Sequence, residues 1–366
     1  MSLVDDLLVQ VRASLRAKAP AEAIELLRAA VNAAPKNISA RVQLARLLDQ
    51  TRQAGDLEAE IDAILDGPVQ EQRADPNSVN QLLKAIHYAS SEEDRNHRLL
   101  AVLAWIDSST PRTRHEATLL RVSHAGILLG LWQRDAFAET VRGLKAGHTN
   151  QPAVLCVQDA AARWSAPTFP DRAAPKVFVI GLSRTGTLSM HWALARLGYR
   201  SQHYTNTLTK DLLRLRDMDL FDACGDISVT ARFETLYARF PNARFIQTTR
   251  PQASWIRSVQ RHYLVHSGVR MPNELLERGR DRRYGGRVGQ IHKQLYADHI
   301  TWDAAYDAHE ARVASFFNDK PADKLLRFSV FDGHGWGELC AFLDQPTPDS
   351  AFPHKNIGQA GQATTT

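Results

Sequence analysis

The chain has 366 residues, of which 44% are hydrophobic and 23% charged, with only 20 Gly and 16 Pro, so collagen-like, low-complexity and wholly disordered classes are excluded and two folded domains are expected. The formal net charge is +5, yet the segment from Arg244 to Lys293 carries eleven Arg and Lys against three acids, a local net of +8 that leaves −3 for the remainder. That asymmetry points to one anionic ligand held locally and away from a nucleic-acid surface; for the Arg278 to Arg287 cluster a solvated basic face is the competing reading.

In chain order, the first stretch, MSLVDDLLVQVRASLRAKAP, holds two aspartates and no continuous apolar run, so it does not read as a signal peptide. No stretch approaches the roughly 18 consecutive apolar residues of a membrane span. Cys156, Cys224 and Cys340 are far apart and odd in number, which argues against a disulfide framework or a clustered metal site and for a reducing, cytoplasmic setting. Residues 1–165 show helical periodicity. Ala23, Ile24, Leu27, Ala30 and Val31 recur at three- and four-residue steps before a stop at Pro35; Leu57, Ile61, Ile64 and Leu65 do the same before Pro68. The two stops are 33 residues apart, close to a tetratricopeptide period, although the Trp and Gly-x-x-Tyr positions are missing and a generic helical bundle fits as well. This half is expected to be a separable module that presents a protein or peptide partner, or the acceptor.

The proline-rich stretch WSAPTFPDRAAP changes the composition, and residues 166–175 are expected to link the halves. Beyond it, KVFVIG reads as a buried parallel strand and LSMHWALARLG as a helix stopped by Gly198. ARFIQTTR and KLLRFSVF read as two more strands, each after a helical segment. Alternating strands and helices imply an α/β fold with a mostly parallel sheet covered on both faces, spanning residues 176–357, with 358–366 as a disordered tail.

Two motifs in this second half carry chemistry. The first is the strand-to-helix turn from Gly181 to Ser189, whose two glycines and small hydroxyl residues let backbone N–H groups converge where a helix begins, a phosphate-binding arrangement. It resembles a P-loop in position, but Arg184 precedes Gly186 and no Gly-Lys-[Ser/Thr] ending follows, which disfavours metal-dependent ATP chemistry. The second is ARFIQTTRPQASWIRSV, in which a strand ends at Arg250 and Ser258 follows eight residues later. In an open parallel sheet the carboxyl ends of strands border one crevice, so both motifs can face one ligand.

Together these motifs resemble the sulfotransferase family, whose 5′-phosphosulfate loop is matched by Arg184, Thr185, Gly186 and Thr187 and whose 3′-phosphate motif is matched by Arg250 and Ser258. The resemblance spans Lys176 to Asn356 and includes the C-terminal stretch LCAFLDQPTPDSAFPHKN; Ser183 stands where the family has Pro, and Leu188 and Ser189 where cytosolic members have Thr and Trp. It implies a P-loop-like three-layer α/β/α sandwich after a tetratricopeptide-like domain. It also implies 3′-phosphoadenosine 5′-phosphosulfate as donor, no metal, and a hydroxyl- or amine-bearing acceptor of unidentified kind. Arg184 would neutralise the leaving phosphate, residues 185–189 would cradle the phosphosulfate, and Arg250 with Ser258 would hold the 3′-phosphate. Asp226, 24 residues before Arg250, is the leading candidate for the general base, and His203 the competing one; Asp226 as a mere helix cap also fits. A phosphotransferase on the same fold and a noncatalytic helical-repeat scaffold are the alternative functions.

Overall fold

The computed structural model describes residues 2–17, 19–51, 54–67, 72–86, 92–144, 152–277 and 287–354. Pro68, the basic residues Arg278 to Arg283 and the tail 358–366 lie outside them. By contacts the chain divides into two compact units: Met1–Ser165 with Thr207–Asp211 and Arg278–Gly289, and Ala166–Asn206 with Leu212–Glu277 and Gln290–Thr366. The first unit thus takes in two short segments of later sequence that nothing in the pattern of residues sets apart.

The helical unit comprises α1 (Leu3–Arg16), α2 (Pro20–Ala33), α3 (Ile38–Thr51), α4 (Ala54–Asp66), α5 (Pro76–Ile86), α6 (Glu92–Asp107), α7 (Arg114–Gly130), α8 (Arg134–Arg142) and α9 (Pro152–Ser165) among the described residues. Local signals set the ends. Ser2 and Asp5 form a reciprocal capping box on α1, Pro20 opens α2 where its missing N–H leaves no bond unmade, and Thr113 accepts from Glu116 N at the start of α7. The periodic residues of α2, Ala23, Ile24, Leu27, Ala30 and Val31, are all buried and join one continuous core with Leu57, Ile61, Val79, Leu99 and Trp105.

The second unit is built on a five-stranded parallel sheet in the order β2-β3-β1-β4-β5, with β1 Val177–Val179, β2 Ser201–His203, β3 Ala223–Gly225, β4 Arg244–Thr248 and β5 Leu325–Phe328. Alternation in β1 separates two faces. Val177 and Val179 pack with Met190, Ala193 and Leu194 of α10 (Thr187–Arg196) and with Leu339 and Leu343 of α17 (Trp336–Leu343). Phe178 stacks instead with Phe240 and Phe245, and Phe245 with Phe317 at the end of α16 (Trp302–Phe317). Helices therefore cover both faces of a sheet whose strands are short and fully buried at the centre, the three-layer arrangement expected from alternating elements. Strand β4 ends at Thr248, two residues before Arg250, and β2 was not expected at all: Ser201, Gln202 and His203 form an edge strand with only Gln202 buried and no apolar run to signal it.

Candidate active site

The loop Gly181–Gly186 leaves β1 at the carboxyl end of the sheet, where the chain order reverses between β3 and β4. Its carbonyls are taken up by donors from around it. His309 Nε2 lies 3.0 Å from the Ile180 carbonyl, Thr230 Oγ1 donates to Gly181 O at 2.8 Å, Thr185 Oγ1 to Leu182 O at 2.7 Å, Trp255 Nε1 to Ser183 O at 2.9 Å and Arg250 NH1 to Arg184 O at 3.3 Å. These bonds engage the loop's carbonyls, while Ser183 N donates to Tyr296 and Thr185 N to Leu182 O. A side chain at Gly181 would overlap the Thr248 hydroxyl, so only glycine fits there, and Arg184 and Gly186 take φ of +74° and +104° to make the turn.

Helix α10 starts immediately after, with Gly186 as its N-cap and no side chain satisfying its first donors. The N–H groups of Gly186, Thr187 and Leu188 make no hydrogen bond among the described residues, and they carry the positive end of the helix dipole. Arg184 Nε donates to Ser258 Oγ at 3.3 Å, so the two family motifs meet. Arg250 donates from Nε to Ser254 Oγ at 2.9 Å and lies 4.3 Å from the ring centroid of half-exposed Phe331. Burial, together with the charges of Arg184 and Arg257, pushes Arg250 below the usual guanidinium range. No carboxylate lies within ion-pair distance of Arg184, Arg250 or Arg257 among the described residues. Cations without carboxylate partners beside unbonded helix-start N–H groups form an arrangement suited to an anion with more than one charge.

The other candidates separate into two kinds. Thr185 is buried and its hydroxyl is already used, bonding Leu182 O and Thr248 Oγ1 (2.8 Å), so it shapes the loop. Leu188 is half-buried and can offer a ligand only its N–H as a hydrogen-bond donor, while Ser189 is buried in the first turn. Thr187 Oγ1, by contrast, lies 3.0 Å from His203 Nε2, and the same nitrogen lies 3.1 Å from Asp226 Oδ2. The parallel register brings this about: His203 pairs with Gly225, and Asp226 is the next residue. Asp226 also caps α11 (Ile227–Thr230), accepting from Ile227 N at 2.7 Å, and does so at φ +80°, ψ −174°, a conformation few residues other than glycine adopt. The two candidates for the base therefore lie side by side, with His203 Nε2 and Asp226 Oδ2 within ion-pair distance. Behind them His191 Nδ1 contacts Ser201 Oγ at 2.8 Å, and burial holds its imidazole down at about 4.

Tyr296 escaped the sequence reading. It sits in a π-helical turn, Lys293–Ala297, at the end of α15 (Arg287–His292), fully buried, and its hydroxyl accepts from Ser183 N at 2.9 Å. Nothing in the residue pattern marks such a turn. Ser254 was legible in principle, since four residues after Arg250 in a helix start is within its reach.

The family model described as "Sulfotransferase domain" matches residues 176–221 and 209–360. The chain belongs to the sulfotransferase family. The chain is also 27% identical over 212 residues, 49% of this chain and 80% of the relative, to Ava biosynthesis cluster protein M of Aspergillus versicolor. As a member of that family the chain is a transferase suited to moving a sulfuryl group. Among the described residues of this sulfotransferase no helix is long and apolar enough to cross a membrane.

Proposed function

We propose that the protein transfers a sulfuryl group from 3′-phosphoadenosine 5′-phosphosulfate to the hydroxyl or amine of an acceptor. The observation that carries this reading is the set of three arginines that, among the described residues, have no carboxylate partner, beside helix-start N–H groups of Gly186, Thr187 and Leu188 that make no hydrogen bond among them. The donor supplies an activated sulfate on a phosphate leaving group, and the residues present fit its two charged ends. Arg184 and the helix start hold the phosphosulfate, and Arg250 with Ser258 and Ser254 holds the 3′-phosphate. Position and charge neutralisation are what such a displacement demands of a protein.

Asp226 takes the acceptor proton, with His203 as the neighbour that fixes its Oδ2. When His203 carries its proton on Nε2 and donates it to Asp226, the Thr187 hydroxyl is free to direct its own hydrogen toward a ligand at the helix start. The same reading takes the protein as cytoplasmic and its helical unit as the place where a protein or peptide partner docks.

Calorimetry with adenosine 3′,5′-bisphosphate and with ATP tests the donor assignment. The bisphosphate is expected to bind more tightly, with or without magnesium; equal affinity for ATP, or binding only with magnesium, rejects it. Screening acceptor pools with sulfur-labelled donor then identifies the substrate.

A further inference from the structure

The connection between β2 and β3 passes through a segment, Thr207–Asp211, that belongs by its contacts to the helical unit. Two helices of that unit receive it. On α7, a Cβ at Gly126 would lie 3.0 Å from the Leu208 carbonyl carbon and overlap its oxygen, and a Cβ at Gly130 would lie 3.1 Å from Arg95 NH2 and 3.7 Å from Thr209 Cβ. Glycine weakens a helix interior, so Gly126, with Gly130 four residues on at the helix end and facing the same segment, marks a backbone approach that the helix is built to admit. On α6, Arg95 Nε pairs with Asp211 Oδ2 at 2.9 Å, and Arg287 NH2 pairs with Asp211 Oδ1 at 2.7 Å. Arg95 and Asp211 are 5% and 3% exposed, so this carboxylate is removed from water. A buried ion pair gains little over apolar packing, and its better use is to fix one arrangement.

Both segments joined by Asp211 run directly into the site. Leu212 bridges Thr205, Thr205 bridges His203, Thr205 N donates to His203 O at 2.7 Å and Leu213 N to Tyr204 O at 3.1 Å. Asp211 is thus the chain neighbour of a backbone ladder, Leu212–Thr205–His203, that ends on the residue whose imidazole meets Asp226. In the other direction Arg287 opens α15, which continues into the π-helical turn carrying Tyr296 and its bond to Ser183. We infer that Asp211 is a positioning residue for this sulfotransferase, fixing through Arg95 and Arg287 the two chain segments that carry His203 and Tyr296. The inference rests on the site read above, in which His203 serves the base and Tyr296 the anion loop.

Asp211→Asn removes the charge between two guanidiniums and can fail by unfolding, so the test uses three other variants. Arg287→Gln removes the more exposed partner, Arg287→Lys restores its charge, and Gly126→Ala forces the Leu208 backbone carbonyl to shift away from α7. Gly337→Ala, in α17 with open space around it, is the control for a helix substitution. The readout is the side-chain nitrogen resonances of His203, assigned by their loss in His203→Gln, alongside titration with adenosine 3′,5′-bisphosphate. Both Arg287→Gln and Gly126→Ala are expected to shift His203 in folded protein, Arg287→Lys to return it toward the wild-type position and Gly337→Ala to leave it in place. Bisphosphate affinity should fall about fivefold in Arg287→Gln, the effect of loosening one hydrogen bond to the loop. A His203 signal that stays fixed in either variant, or moves as far in Gly337→Ala, overturns the inference. Failure of the wild-type chain to bind the bisphosphate would reject the donor assignment and leave the resonance test intact.

Discussion

The two sides of the crevice are built differently. On the anion side, carbonyls from Ile180 to Arg184 are each bonded by a donor from the same unit, and the loop is closed in by Trp255, Tyr296 and His309, all buried. On the proton-handling side, His203 and Asp226 sit at the ends of three-residue strands, one of them an edge strand, and Asp226 holds a backbone conformation that costs about 1–3 kcal/mol in a residue other than glycine. The connection between those two strands is held by the helical unit. On the proposed reading, charge would be received by a preorganised wall, whereas the proton would be handled where the backbone is strained and secured from further away in the sequence.

That contrast is tested most severely by Asp226→Asn. The amide keeps the bond to Ile227 N and tolerates the unusual backbone but cannot accept the acceptor proton, so transfer of labelled sulfate is expected to fall by about a hundred- to ten-thousandfold. Bisphosphate affinity should stay near wild type because other residues hold the phosphates. If Asp226→Asn retains activity while His203→Ala is dead, His203 is the base; if both are active, this side of the crevice handles no proton. The next largest effect is on the opposite side. Arg184→Ala and Arg250→Ala should each weaken bisphosphate binding by about 1.5–3 kcal/mol, roughly 10- to 150-fold, with Arg250→Ala changing ATP affinity far less because ATP lacks the 3′-phosphate. Equal loss for both nucleotides would place Arg250 away from the 3′ end.

What could be read from the residues alone follows the same division. The anion side was legible because its signals are local: a Val-rich strand, two glycines, Arg184 before a helix start, and an Arg-to-Ser spacing of eight. The covering helices and the parallel order followed from periodicity. The proton-handling side was legible only as two competing residues, since what joins His203 to Asp226 is the register of a strand made of Ser, Gln and His, which carries no hydrophobic pattern. The burial of Thr185's hydroxyl inside the loop, Tyr296 in its π turn, and the assignment of Thr207–Asp211 to the helical unit depend on tertiary contacts between residues up to 113 positions apart.

Burial of the two histidines predicts an acid-sensitive fold. His309 donates toward the Ile180 carbonyl and is held down at about 4, as is His191 behind the base pair, against an ordinary imidazole near 6.5. Between about pH 6.5 and 4 the unfolded chain therefore binds more protons than the folded one, and stability present at neutral pH is lost as pH falls, by up to about 1.4 kcal/mol per pH unit for each histidine. Urea unfolding at pH 7 and pH 5 should show this slope, and His309→Gln should flatten it. An unchanged slope in His309→Gln would mean that this side of the loop is open to water.

The smallest effect expected is the most direct test of the preorganised wall. Tyr296→Phe keeps the ring that packs against Tyr263 and Trp302 and removes only the hydroxyl that accepts from Ser183 N. Burial pushes the phenol above the usual tyrosine range, so it is neutral at all working pH values and the loss is that of one neutral hydrogen bond, about 1 kcal/mol in urea unfolding. Because Ser183 immediately precedes Arg184, bisphosphate affinity should drop a few-fold as well, while the His203 resonances, whose contact with the helix start is through Thr187 and not Ser183, should stay in place. Loss of stability without loss of affinity would show that the loop keeps its shape through the remaining bonds from Trp255, Thr230 and His309; loss of neither would mean that the loop's order does not come from its tertiary hydrogen bonds, and the difference between the two sides would have to be sought in the backbone of Arg184 and Gly186 instead.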